Sequence, residues 1–248
     1  GVPLTVLGIN PASNKLDSSL GLLSAVWLAY GWPEQKYPKF LVLELAADRP
    51  GDIEYLVDVV KPQVGVVTAI GEVPVHVEFY ANPEAIAIEK SKLIERLPPN
   101  GLSVLNYDDQ TVLDMQKKSY AKVLTLGVFQ PVEGSGPDLW ASDASYFLSE
   151  DEHIGGLSFK INHGNTFVPT RVNNLIAMHQ VYGILAAVAV GLHFGMNLVD
   201  ISGAIENIEL PHHRMNLLRG IKGTEIIDDT YNASPLSMHA ALDILRDL

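Results

Sequence analysis

The chain has 248 residues, 47% of them hydrophobic and 19% charged, enough to bury one large core or a domain and a half. A formal net charge of −12 argues against a partner gripped through its phosphate backbone, so no nucleic acid is expected, while a single nucleotide held by amides and a metal is compatible. Cysteine is absent, which excludes a disulfide framework and thiolate metal sites and suits a reducing, cytoplasmic setting. No signal peptide is read, and the longest apolar run, around 184–192, is too short to cross a bilayer, so no membrane association is expected.

In chain order, residues 1–23 read as loop, and Leu22–Tyr30 predicts a short helix closed by Gly31, Trp32 and Pro33. Phe40–Leu45 predicts a buried strand with Glu44 near its end, and Pro50-Gly51-Asp52 opens a helix from Ile53 to Val60. Val64–Ile70, β-branched and bounded by Pro62 and Gly71, predicts a strand buried on both faces. It empties into a loop carrying Glu72, His76 and Glu78. Asn82 and Pro83 then start a helix over Glu84–Leu97, Asn as cap and Pro in the first turn. Its expected buried face, Ala85 to Ile88 with Leu93, Ile94 and Leu97, also holds Lys90. After the Pro98–Gly101 turn, Leu102–Leu105 predicts a second strand ending at Asn106, Asp108 and Asp109. The fold class is therefore α/β, a doubly wound and mainly parallel sheet whose chemistry collects at the carboxyl ends of its strands.

From about Val123 the texture changes. Lys122–Val128, Asp138–Phe147, Gly156–Asn162 and Asn165–Val172 predict a small antiparallel β region attached to that sheet. Leu175–Phe194 predicts a long helix and Leu198–Ile208 a second. Thr224–Asp228 predicts a buried strand that runs into the polar stretch 228–235 and a helix. Gly220–Gly223 marks an expected boundary between a domain at 1–221 and the beginning of another at 222–248.

Several residues could carry chemistry. Glu44 and His76 at adjacent strand exits suit a hard divalent cation, or are simply a solvated carboxylate and a hydrogen-bonded loop imidazole. Burial would lower the pKa of Lys90, so its neutral amine could act as a nucleophile or take up CO₂ as an anionic carbamate; a snorkelling lysine is the plainer alternative. Asp229, Tyr231 and Asn232 precede a helix start and suit a phosphate or a metal-bound nucleotide, or serve only the turn. Arg214 could reach a phosphate with its fork, or join a surface ion pair.

The ordered set Val42-Leu43-Glu44-Leu45, Pro50-Gly51-Asp52-Ile53, Val67 to Gly71, His76-Val77-Glu78-Phe79, Glu84 to Ala87, Lys90-Ser91-Lys92, Leu105 to Asp109 and Asp228 to Pro235 resembles the central ATPase domain and C-terminal start of the Mur ligases. Its last motif is nearest the branch that joins D-Ala-D-Ala to UDP-MurNAc-tripeptide. The resemblance implies ATP-dependent amide-bond formation through an acyl phosphate, with ATP and Mg²⁺ as cofactors, those two small molecules as substrates, and a monomer. It implies that Glu44 and His76 ligate Mg²⁺, that a carbamylated Lys90 holds a second Mg²⁺, and that Arg214, Asp229, Tyr231, Asn232 and His179 face the nucleotide. Asn106 and Asp109 are read first as structural.

Some positions depart from the family. Its Gly-rich phosphate loop is absent and is expected upstream of Gly1, so the chain reads as a fragment without ligase activity of its own. Gln180 and Gly183 stand where adenine-contacting asparagines are usual, Ala69 follows Thr68 in place of Asn, and His213 precedes Arg214 in place of Gly. Two further readings stay open. One is an amide ligase with another acceptor, of amidotransferase-coupled or polyglutamate type. The other is a Mur-like protein that binds nucleotide or a partner without ligation.

Overall fold

The structure, a computed structural model, describes residues 2–6, 38–71, 79–128, 135–149, 153–206, 208–233 and 235–247. The βαβ unit forms as its punctuation predicts. Helix α1 is Val2–Val6 and α2 is Asp52–Val60; β1 is Val64–Val67, α3 is Pro83–Glu95 and β2 is Leu102–Asn106. Asn82 caps α3 by accepting the Ala85 amide at 2.9 Å, with Pro83 in the first turn, which satisfies one of the helix's orphan donors. Gly101 is required where α3 returns to β2, because a Cβ there would stand 2.4 Å from the Gln63 carbonyl oxygen. A short helix α4, Gln110–Leu113, and a 3₁₀ turn, Asp114–Lys118, lead to β3 at Lys122–Gly127.

Strands β4 (Leu139–Leu148), β5 (Ile154–His163) and β6 (Thr166–Asn173) complete one six-stranded sheet in the order β1-β2-β3-β4-β5-β6. The first three pairings are parallel and the last two antiparallel. The long helix α5 is Met178–His193 and α6 is Leu198–Ile205. Both faces of the parallel part are covered. Ile94 and Leu97, at and beyond the end of α3, pack with Val67 and Leu105 on one side; Val181, Leu185 and Val188 of α5 pack with Leu102, Val104, Leu124 and Leu126 on the other. That is the doubly wound, mainly parallel arrangement expected. On the rim, Ser202 of α6 hydrogen-bonds Thr170 at 2.9 Å and donates to the Pro169 carbonyl at 3.3 Å.

The chain then makes a separate hairpin, β7 (Asn216–Arg219) with β8 (Glu225–Asp228), followed by α7, Pro235–Asp247. Met215, 1% exposed, and Ile244 lock this unit onto Ile176 and Ala177. Gly220–Gly223 lies in the connection of the hairpin, so the residues on either side of the expected division at 221/222 pair with each other. No helix among the described residues is long and apolar enough to cross a membrane.

Five local expectations are corrected. Val2–Val6 is helical, not loop. Phe40–Leu45 is irregular and largely exposed, with Phe40 at 62% and Val42 at 95%, because no described strand pairs with it and an apolar run without a ladder has nothing to bury against. Lys122–Gly127 is a parallel strand, so the antiparallel region begins only at β4. The strand at 225–228 is largely exposed, being half of a two-stranded ribbon with one side open. Ile88 is 56% exposed: the face that α3 buries runs through Ile86, Glu89, Ser91 and Ile94. The helix expected at 22–30 lies outside the described residues.

The last turns of α3 carry a charged cluster with a measurable consequence. Burial would raise the Glu95 carboxyl, but hydrogen bonds from Lys118, Lys92 and Ser91 outweigh it and hold it at about 2. A carboxylate depressed in the folded state stabilises above its unfolded pKa and loses that contribution as pH falls towards 2. Glu95→Gln should therefore cost about 1–2 kcal/mol at pH 7 after allowance for solvent screening. In urea titrations that difference should shrink steadily between about pH 4.5 and pH 2; a pH-independent difference would contradict the assignment.

Candidate active site

At the carboxyl ends of β1, β2 and β3 three exit loops are stitched together by side chains from one of them. The buried Asn106 donates from Nδ2 to the Thr68 carbonyl at 2.8 Å and accepts the Asp108 amide at 2.9 Å. Asp109 accepts the Ile70 amide on Oδ2 at 2.8 Å, and on Oδ1 the Thr111 and Val112 amides that open α4. Asp108 accepts the Val128 amide at 2.7 Å and the Tyr182 hydroxyl at 2.9 Å, both on Oδ2. It fits there because β3 ends in Gly127, whose missing Cβ would lie 3.0 Å from that carboxylate. Burial, then the bond to Asp108, pushes the Tyr182 hydroxyl pKa well up, so it stays a donor at any physiological pH.

Lys90 reaches this edge from the second turn of α3. It is half-buried, and Nζ donates to the Ala69 carbonyl at 3.3 Å, one residue before the amide that Asp109 holds. Burial lowers its pKa below the usual 10.5, and the Asp109 carboxylate restores part of the loss. The folded state thus binds fewer protons than the unfolded one between the two pKa values; the cost of burying the ammonium is full below the lowered value and fades as pH rises towards 10.5. Lys90 should accordingly react with a limiting acylating reagent at a lower pH in the folded chain than in the urea-unfolded chain, as read by peptide mass spectrometry. Equal pH profiles would contradict it.

A second group faces the first across α5. Arg214 lies on a turn between His213 (φ 62°) and Met215 (φ 50°), both left-handed. Its guanidinium carbon stands 3.9 Å from the centroid of the Tyr231 ring. Asp229 accepts the Met215 amide at 3.2 Å, and His213 hydrogen-bonds Asp228 at 2.8 Å. Desolvation lowers the His179 pKa against an opposing pull from Asp229, which puts that carboxylate within electrostatic reach of the start of α5. The opening turns of α5 therefore touch both groups: Tyr182 binds Asp108, Gln180 donates to the Arg214 carbonyl, and His179 feels Asp229.

Of the residues singled out in the sequence, Lys90 lies at the strand-end group, and Arg214, Asp229, Tyr231 and His179 at the second. Asn232 is exposed and bonds its own chain at the Ala233 amide. Glu44 is exposed on the irregular segment, and His76 lies outside the described residues. Asn106 and Asp109 have the structural role expected. Sequence reasoning put Asp108 at the strand exit without a role and missed Tyr182 and the part played by Gln180, since their contacts are to residues far along the chain. A mixed polar and apolar cleft of about 630 Å³ between the β4–β6 arm and the β7–β8 hairpin shares none of these residues.

The family described as the Mur ligase middle domain matches residues 4–191. The UDP-N-acetylmuramoyl-tripeptide–D-alanyl-D-alanine ligase of Mycobacterium leprae is 28% identical over 98% of this chain and 50% of its own length. Among solved structures, MurF from Acinetobacter baumannii superposes with a TM-score of 0.74 at 22% identity, covering 100% of this chain and 51% of that one. MurF ligase from Thermotoga maritima in complex with ADP gives 0.72 at 26%, covering 95% and 49%. The chain thus spans about half the length of the curated relatives of that name with which it aligns end to end. With its sheet, its covering helices and its matched span in agreement, the chain belongs to the Mur ligase family through that family's middle domain.

Proposed function

We propose that this chain is the nucleotide-handling part of an ATP-dependent amide ligase of peptidoglycan-precursor synthesis, joining D-Ala-D-Ala to UDP-MurNAc-tripeptide. Family membership supports the ligase class, and the relatives' named activity supports the substrates. The observation that carries the reading is Lys90, a half-buried amine of lowered pKa at the mouth of the first parallel strand, beside Asp109. In such a ligase the peptide's terminal carboxylate takes the γ-phosphoryl group of ATP and ADP leaves; the incoming amine then forms the amide and expels phosphate. Positioning and charge neutralisation carry that reaction, which suits a cluster locked by hydrogen bonds from three strand exits.

Among the described residues no three carboxylate or imidazole side chains form a metal-holding group, and an ammonium cannot ligate a cation. A carbamylated Lys90 would supply anionic oxygens of the kind Mg²⁺ prefers and is proposed to hold a second Mg²⁺; Glu44 and His76 are proposed to ligate the first. Bound there, Mg²⁺ supplies neutralisation of phosphate charge. Arg214, Asp229, Tyr231, Asn232 and His179 are proposed to face the nucleotide. The division of the chain is proposed to fall at 221/222, with the beginning of a further unit at 222–248.

The test is ADP release by the complete protein that carries this chain. It should require ATP, UDP-MurNAc-tripeptide and D-Ala-D-Ala together. ADP release with glutamate or a glutamine-derived amine instead would move the reading to another acceptor. Nucleotide binding without turnover under any of these conditions would overturn it in favour of a binding protein.

A further inference from the structure

Gln180 uses both ends of its amide. Oε1 accepts the Ala177 amide at 3.3 Å at the start of α5, and Nε2 donates to the Arg214 carbonyl at 3.2 Å. The turn it grips is one that non-glycine residues adopt only when their surroundings hold them, with left-handed His213 and Met215 on either side of Arg214. Other restraints on this turn come from its own neighbourhood. The Met215 amide donates to Asp229, the Arg214 amide to Asn216 at 3.3 Å, the Tyr231 amide to the His213 carbonyl at 3.1 Å, and His213 pairs with Asp228. Gln180 adds a link of another kind, from the helix whose Tyr182 is anchored to the strand-end group. The Arg214 guanidinium meanwhile lies on the Tyr231 ring, which leaves its edge N–H groups in plane for an anion.

We infer that Gln180 is a positioning residue for Arg214: by tying the Arg214 backbone to α5, it fixes where the stacked guanidinium stands relative to Lys90 and the strand exits. The role is one of positioning because the amide is engaged by backbone on both sides, at Ala177 and at Arg214; the Arg214→Ala background separates it from a direct nucleotide contact. That the anion met by Arg214 is a nucleotide phosphate rests on the ligase reading above; that Gln180 sets the turn does not.

In the complete protein, Gln180→Ala should raise KM for ATP about five- to tenfold while kcat changes by less than about twofold, the mark of lost ground-state binding. In an Arg214→Ala background the same change should move KM by less than about twofold, because two residues acting through one contact are not additive. Gln180→Glu, the same length but without the donor, should reproduce the shift if the alanine variant fails to fold. In the complete protein, both variants should also speed amide exchange at Met215 and Tyr231 by about tenfold while Ile184–Val190 keep their protection. Unchanged exchange at those two amides, or an equal KM penalty with and without Arg214, overturns the inference. A wild-type protein that never turns over ATP would instead overturn the ligase reading, and the exchange result would still decide the role of Gln180.

Discussion

Replacing Lys90 by alanine in the complete protein is expected to lower kcat by on the order of 10²–10³-fold, the scale on which a preorganised charge-stabilising group acts. The loss should not come from unfolding. Lys90 is only half-buried and its hydrogen bond to Ala69 is a long 3.3 Å, so the melting temperature should hardly move. Short-chain carboxylic acids should return part of the activity, because they can enter the vacated space and restore an anionic oxygen pair. Lys90→Arg separates the two ways in which the residue could act. It keeps a positive charge but cannot form a carbamate, so it should be as inactive as the alanine variant and less open to rescue. Near-wild-type turnover in either variant would remove Lys90 from the mechanism.

Asp109→Ala is expected to have the largest effect on stability of any single change at the strand exits. One carboxylate accepts three backbone amides, those of Ile70, Thr111 and Val112, and deleting it leaves all three without that partner. Loss of a helix cap costs about 1 kcal/mol, and a buried or half-buried donor left unsatisfied costs about 1–3 kcal/mol. A total of about 2–3 kcal/mol is therefore expected, or roughly 5–10 °C in melting temperature for a chain of this size. Asp109→Asn keeps one acceptor oxygen and should fall between alanine and wild type. Both changes also remove the carboxylate that supports the Lys90 ammonium, so the lysine should titrate still lower. If Asp109→Ala melts with the wild type, the stitching is decorative and another contact holds these loops.

The parts of this fold that could be read from the residues are those whose cause is local. The Asn82–Pro83 cap, the Pro98–Gly101 turn and the apolar block at 102–105 carry their own punctuation, the block at 64–70 is strand only over 64–67, and the strands at 139–148, 154–163 and 166–173 emerge within two residues of their expected bounds. Strand direction was another matter. Whether β3 runs with or against its neighbours depends on the connection that delivers it, and nothing in Lys122–Gly127 records that. Phe40–Leu45 shows the same limit: a short apolar run suits a strand but cannot supply its partner. In the candidate site Lys90 was legible, because an ammonium among apolar residues is out of place. Asp108, Tyr182 and Gln180 were not, because their significance lies in contacts that span between 34 and 74 residues of chain.

The outermost strand, β6, has a consequence for how the protein keeps to itself. Asn174 donates to the Gly155 carbonyl, and with the β5–β6 register that fixes which residues of β6 turn their amides inwards: Pro169 faces the open side. It has no amide to offer there, and its carbonyl is already taken by Ser202. A stray β-strand arriving at this rim would find the middle rung of the ladder gone, which is how a sheet with a bare border escapes runaway fibril growth.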